Sequence, residues 1–389
     1  FDWKTKEVAQ GKNRMQNSSN LAAMLADCYV ATNDTNAMND ANGLIEFLMR
    51  NQGADGGYYA YWNPTKKEHY SCVNYLTKTF MEVLTQEYKL AQKSELWKKR
   101  YNTGVLSVNR ALEDLVQRKD NLGTEGQMTF DDTTISCSIG QLAMGALRTP
   151  DPILRQKYLS VALEMYNQHR CLTQQNIPDA RMNGATLRFW ESQFTINLMN
   201  NMLNSPCGWS MRKVYDTYYL YLLTGKKHFL YETMNGLGAC SQLINLKNNT
   251  LYFAFVPDPY IEGQQYRQAV EGSRMVTIQN VVVGEQYLPC ISNWHSAPYY
   301  AWRKDVFGID NFVHEVFKAM EEITIQHAFV IENADGSFET FNCKMETNGG
   351  KLVITPYEKL LKSVHVTLIK SHNIDVIKQE EPVHFIDIF

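Results

Sequence analysis

A short polar break recurs along the chain, each time between two amphipathic stretches of helical period. The breaks are Ala31-Thr32-Asn33-Asp34, Ala91-Gln92-Lys93-Ser94, Arg148-Thr149-Pro150-Asp151 and Leu223-Thr224-Gly225-Lys226. Their second residues fall at 32, 92, 149 and 224, so the spacings are 60, 57 and 75 residues. A helix–turn–helix unit of that size must bury its apolar stripe against its neighbours, which predicts αα-hairpins stacked in a solenoid or a closed toroid. The periodicity is clearest at Ile135, Ile139, Leu142, Ala143 and Ala146, and again at Leu154, Tyr158, Val161, Ala162 and Met165. Pro152 suits a first helical turn, with Asp151 as its cap.

The texture changes near residue 248. Segments 251–256 and 275–283 read as strands around a Tyr-, Gln- and Glu-rich loop, and 311–323 returns to helix. Beyond residue 325 the chain alternates, with Asp335-Gly336 as a hairpin turn. The expected organisation is mainly α. A toroid spans 1–324 with a β-rich insertion at about 248–290, and a small antiparallel β module spans 325–389.

Composition removes several function classes. The net charge of −3 gives no electrostatic grip on nucleic acid or a membrane surface. No apolar run reaches the length of a membrane span. There is no H-E-x-x-H, P-loop, dinucleotide G-x-G-x-x-G or G-x-S-x-G elbow. The eight cysteines are dispersed without a C-x-x-C and read as reduced, small apolar residues. The chain opens on Phe1, from which a removed signal peptide and a periplasmic or secreted location are expected.

What remains is polar and aromatic, and it lies on the longer links between hairpins. These are 53–63, 120–132 and 168–216. In a toroid, links of one phase emerge at one end, so that end is the expected site. Arg170, Arg181 and Arg188 with Asn183 form an anion-recognition group, since guanidinium forks bind carboxylates; each alone reads equally as a solvated surface arginine. Tyr58 and Trp62 form an aromatic platform for a sugar face, or anchor the loop as buried rings; Trp209 adds a ring to the third link. Asp131 and Asp132 precede a helix, where one is its cap or the pair serves as a base or a hydroxyl acceptor. Glu191, beside Trp190, is a first-turn glutamate or a general acid. His169 is a helix-end dipole partner or a base, and Tyr215 is core or a proton donor at the cavity.

Three strings carry a family likeness: Glu125 through Cys137, His169-Arg170-Cys171 through Trp190-Glu191, and Asn204 through Ser210. They resemble (α/α)-toroid carbohydrate-active enzymes of gut bacteria, closest to the rhamnose–glucuronate polysaccharide lyases and to glucuronidases that trim arabinogalactan. The resemblance runs over about residues 13–302. It implies an α-toroid with an antiparallel β module, an exported enzyme and a glucuronate-containing polysaccharide as partner.

Three functions compete on these grounds. β-Elimination beside a uronate needs its carboxylate neutralised, by Arg181, Arg188 and Asn183, and His169 or Tyr215 as base or acid. Glycoside hydrolysis would pair Glu191 with Asp131 or Asp132. A non-catalytic glycan-binding toroid would use the aromatic links alone. No cofactor is expected, with calcium on the acidic link left open.

Overall fold

In the computed structural model the described residues are 13–63, 68–73, 76–121, 132–175, 179–186, 210–247, 250–256, 262–270, 274–282, 286–289, 311–349, 351–357, 360–369, 373–376 and 386–388. The helices form consecutive hairpins: α1 (Met15–Thr32) with α2 (Thr35–Arg50), α3 (Leu76–Ala91) with α4 (Glu95–Arg118), α5 (Asp132–Arg148) with α6 (Pro152–His169), and α7 (Met211–Thr224) with α8 (Lys227–Ser241). A further helix, α9 (Asn311–Glu321), runs into a π turn at Glu322–Gln326.

The local chemistry of the breaks fixes the hairpins. The Asp34 carboxylate accepts the Asn36 N–H at 2.9 Å and starts α2. Asp151 accepts the N–H groups of Ile153 and Leu154 at 2.8 and 3.3 Å and starts α6, with Pro152 in the first turn. Gly225 ends α7 at φ +64°, a left-handed conformation that costs glycine little, and donates to Tyr221 O at 2.8 Å.

Packing sorts the helices into two layers. The first helix of each hairpin packs on the first helix of the next, α1 on α3, α3 on α5, α5 on α7 and α7 on α9, while α2, α4, α6 and α8 back them from outside. This is the (α/α) toroid arrangement. Helix α7 is its innermost member, with every residue from Met211 to Leu222 buried. Burying a large apolar side chain contributes roughly 1.5–3 kcal/mol. The tyrosines Tyr218, Tyr219 and Tyr221 therefore hold α7 in place as much as they decorate it. The N-terminal halves of α3, α5 and α7 come together at one end.

The strands are β1 (Asn13–Arg14), β2 (Tyr59–Asn63), β3 (Glu68–Val73), β4 (Ile244–Asn245), β5 (Thr250–Val256), β6 (Glu262–Val270), β7 (Arg274–Val282) and β8 (Gln286–Pro289). After the π turn come β9 (His327–Glu332), β10 (Phe338–Phe341), β11 (Cys343–Asn348), β12 (Lys351–Pro356), β13 (Ser363–Thr367), β14 (Asn373–Val376) and β15 (Ile386–Ile388). The polar loop expected between 256 and 275 is itself largely strand: β6 pairs antiparallel with β7 from Glu262↔Val282 to Val270↔Arg274. Its run Glu-Gly-Gln-Gln-Tyr-Arg-Gln has no apolar alternation, and backbone pairing needs none. Pairing in the C-terminal strands is mixed. The hairpins β9–β10 and β11–β12 are antiparallel, as the Asp335-Gly336 turn requires. The pairs β9–β13, β13–β15 and β12–β14 are parallel. These strands hold a core of their own, built on Ala328, Val330, Ile354, Leu361, Val364 and Val366. Among the described residues no helix is long and apolar enough to cross a membrane.

Candidate active site

Four inner helices bring polar side chains to a cavity, α3, α5 and α7 from near their N-terminal ends and α9 from its last turn. It measures about 310 Å³, counting space that opens to solvent. Lys78 from α3, Ser136 from α5, Arg212 and Tyr215 from α7, and Lys318 from α9 line it. Gly140 lies where α5 crosses α7; a Cβ there would sit 3.7 Å from Asp216 N and 3.8 Å from Tyr215 Cβ, so a larger side chain would crowd the crossing. The Lys78 ammonium stands 4.0 Å from the Tyr215 ring centroid, and Tyr215 stacks on Tyr219 at 6.3 Å.

An ion network fixes Lys78. Its Nζ is 2.8 Å from Glu322 Oε2 on the π turn and also bonds Glu82, one helical turn along α3. Lys318 Nζ lies 3.0 Å from Glu82 Oε2, and the Tyr219 hydroxyl donates to Glu322. Burial alone would pull the Lys78 ammonium down, but Glu322 and Glu82 hold it well above the ordinary lysine value. Burial would likewise raise Glu82, yet Lys318 and Lys78 hold it well below the usual carboxylate range. Lys78 therefore keeps its charge at any ordinary pH.

Beside this network, Asp216 is fully buried on α7, with Lys213 Nζ 3.4 Å away. Burial pushes its carboxyl up to about 7, and Glu232 adds to the rise; Lys213 and Ser136 oppose it. A raised acid favours folding while protonated. Its contribution is complete below the ordinary aspartate value and is lost as pH rises through about 7. Urea midpoints of the wild type should therefore fall between pH 5.5 and 7.5 more steeply than those of Asp216→Asn. Parallel slopes in the two proteins would show that Asp216 does not titrate there.

No protein-family model matches the chain, and no curated protein matches it. Solved structures do resemble it. A polysaccharide lyase aligns at 14% identity and TM-score 0.39, covering 64% of this chain and 42% of the lyase. A GH76 α-mannanase of Bacteroides thetaiotaomicron aligns at 15% and 0.41, covering 63% and 62%. A GH127 β-L-arabinofuranosidase of Geobacillus stearothermophilus aligns at 12% and 0.37, covering 90% and 65%. The chain spans less than two thirds of the length of each of these three.

The residues expected from sequence are dispersed around this end. Tyr215 reaches the cavity. His169, the last residue of α6, is buried, with Nε2 3.3 Å from Asp120 Oδ2. Arg170 lies outside it, exposed, over the Tyr166 ring and 3.7 Å from Glu232 Oε1. Arg181 is a correction. Its guanidinium grips Asp179 on its own turn, Nε–Oδ1 2.9 Å and Nη2–Oδ2 2.7 Å, so the fork expected for a substrate carboxylate is already engaged. Its flat face covers the Phe255 ring at 4.7 Å. Asn183, half-buried, closes that same turn through its backbone N–H to Ala180 O at 3.3 Å.

Tyr58 is the second correction. Its ring is completely buried against Phe80, and its hydroxyl pairs with Ser107, so no face remains for a sugar. Tyr58→Phe should cost about 1 kcal/mol in urea unfolding, the net worth of a buried hydrogen bond. A cost near zero would argue against a structural hydroxyl. Trp62 lies on β2 and Asp132 begins α5, but only their backbones are among the described residues. Asp131, Arg188, Glu191 and Trp209 lie outside the described residues.

The third link is built tightly where it is described. Thr173 bridges Thr186, and Gln174 exchanges backbone bonds with Gly184 and Ala185, both 2.8 Å. Gly184 has φ +85°, and a Cβ on it would meet Gly236 N of α8 at 2.3 Å. Gly184→Ala should therefore lower stability by roughly 1–3 kcal/mol from the backbone conformation alone, with the clash in addition. Unchanged unfolding would mean that the link does not seat on α8 this way.

Sequence reading missed Lys78, Arg212 and Lys318. The available signal was Lys78 and Glu82 at i,i+4 inside an apolar helix whose Phe80, Met81, Val83 and Leu84 are all buried. Among the described residues no group of three His, Cys, Asp or Glu side chains converges to hold a metal ion.

Proposed function

We propose that the chain is an enzyme that cleaves an acidic, uronate-containing carbohydrate by β-elimination at this cavity. One observation carries the reading: Lys78, Arg212 and Lys318 surround the Tyr215 side chain in a buried cavity. Elimination requires the uronate carboxylate to be neutralised so that its C5 proton becomes acidic. Lys78, Lys318 and Arg212 carry three positive charges against the two negative charges of Glu82 and Glu322, and the surplus attracts a carboxylate more strongly there than in water. Tyr215 would take the C5 proton, or return one to the leaving oxygen. The C5–H and C4–O bonds break, a C4=C5 double bond forms, and the departing sugar leaves as an alcohol. Lys78 would act as a fixed charge and not as the base, since Glu82 and Glu322 keep it protonated.

The test is incubation with arabinogalactan oligosaccharides whose glucuronate carries a sugar on O4, read by ultraviolet absorbance for an unsaturated uronate. Its appearance supports elimination. Reducing sugar released without that chromophore would defeat elimination in favour of hydrolysis, and binding without release would leave a glycan-binding toroid.

A further inference from the structure

A second polar cavity lies deeper, where the inner helices meet the C-terminal strands. It measures about 520 Å³, counting space that opens to solvent. Its wall combines Arg148 from the end of α5, Lys362 just before β13, and the imidazoles of His327 and His365. The two rings are 5.1 Å apart and both are buried. Ser363 Oγ stands 3.1 Å from His365 Nε2. His327 Nδ1 is buried and has no hydrogen-bond partner among the described residues.

Two carboxylates, Glu82 and Glu322, also face this cavity, but each is already engaged. Glu82 holds Lys78 and Lys318, and Glu322 holds Lys78 and the Tyr219 hydroxyl. Lys362 pairs with Asp27 of α1 at the rim, and Arg148 donates to the Thr85 hydroxyl. The balance of charge shows in His327. Burial holds it neutral, well below the ordinary histidine value; His365, Lys362 and Lys78 each push the same way, and Glu82 opposes them more weakly. Packing alone gives no reason to gather a guanidinium, an ammonium and two imidazoles around one space, because buried polar groups cost free energy unless partnered.

We infer that this junction cavity binds a small oxyanion, of the sulfate, phosphate or carboxylate class, held by Arg148, Lys362 and the two imidazoles. A guanidinium fork and imidazole N–H donors match the oxygens of such an anion. The anion's proposed donors lie about two helical turns beyond the first cavity along α3 and α5, with Glu82 and Glu322 between the two. The imidazoles can offer an N–H to the anion without carrying charge, and Arg148 and Lys362 supply the charge. The charged and titratable groups facing the rings are Tyr218, stacked on His327, and Glu82, Tyr219, Glu322, Lys362 and Arg148, with Lys78 behind them. An anion there would also tie α5 to β13 and raise the unfolding temperature.

Calorimetric titration of the whole chain with sodium sulfate, and separately with sodium acetate, tests this against sodium chloride at matched ionic strength. The expected result is a saturable heat with sulfate, acetate or both, absent with chloride. Acetate binding alone would narrow the class to carboxylates. Arg148→Gln and His365→Asn, each first checked for a cooperative unfolding transition, should bind about tenfold more weakly, the loss of one charge-assisted hydrogen bond. No saturable heat in the wild type would overturn the inference whether or not the variants fold. Wild-type affinity in both folded variants would overturn it too.

Discussion

Lys78→Met should unfold at a markedly lower urea concentration than the wild type, by about 3–5 kcal/mol, the usual consequence of removing one member of a buried ion network. Methionine nearly matches the lysine stem in volume, so packing loss is small and the effect is electrostatic. Without the ammonium, Glu82 retains Lys318 while Glu322 retains only the Tyr219 hydroxyl among the contacts described above. Both carboxylates stay buried, and one must take a proton or force the π turn away from α3. The double variant Lys78→Met/Glu322→Gln should recover part of the loss, because the uncompensated charge is gone. A single-variant loss within about 1 kcal/mol of zero would place the network at a solvated surface instead. The pH dependence has a definite sign. Glu82 is depressed in the folded protein, so its contribution is present above the ordinary glutamate value and lost as pH falls. Lys78 is raised, so its contribution is present below the ordinary lysine value and lost in strong alkali.

That network also explains which features were legible from residues alone. Helix breaks are local. Asp34 and Asp151 cap the helix immediately following them, and Gly225 closes the helix immediately preceding it, so the hairpin period could be read directly. The Asp335-Gly336 turn is equally local. Lys78 is different, because Glu322 is 244 residues away in sequence. An i,i+4 Lys–Glu pair is common on solvated faces; here the arrival of α7, α9 and the π turn buries it. Arg181 on the third link differs in the opposite direction. Arg181 looked available because arginine in a polar loop usually is, yet Asp179 two residues earlier is its partner. Tyr58 failed because a glycine-flanked aromatic reads as a loop-tip ring, whereas the loop folds inward and delivers it to Ser107 and Phe80. Tyr215 was legible in part: its helical spacing with Tyr219 marked an apolar face, and that face turned out to be where the cations converge.

Tyr215→Phe should reduce formation of the unsaturated uronate by about 10²–10⁴-fold, the usual worth of a positioned proton-transfer group. The substitution removes one oxygen. It leaves the ring stacked on Tyr219 and beneath the Lys78 ammonium, so the urea midpoint should move little. KM should also change little, since in the proposed reaction Lys78, Arg212 and Lys318 bind the carboxylate and the hydroxyl acts on the proton. That split separates the chemical reading from a structural one: a packing role for the hydroxyl would lower stability and leave turnover of the folded fraction intact. Arg212→Gln should behave in the complementary way, raising KM by weakening the hold on the carboxylate. If Tyr215→Phe retains wild-type turnover while Arg212→Gln still raises KM, the cavity binds the acidic sugar but proton transfer belongs elsewhere. His169, held by Asp120 at the end of α6, is then the next residue to substitute.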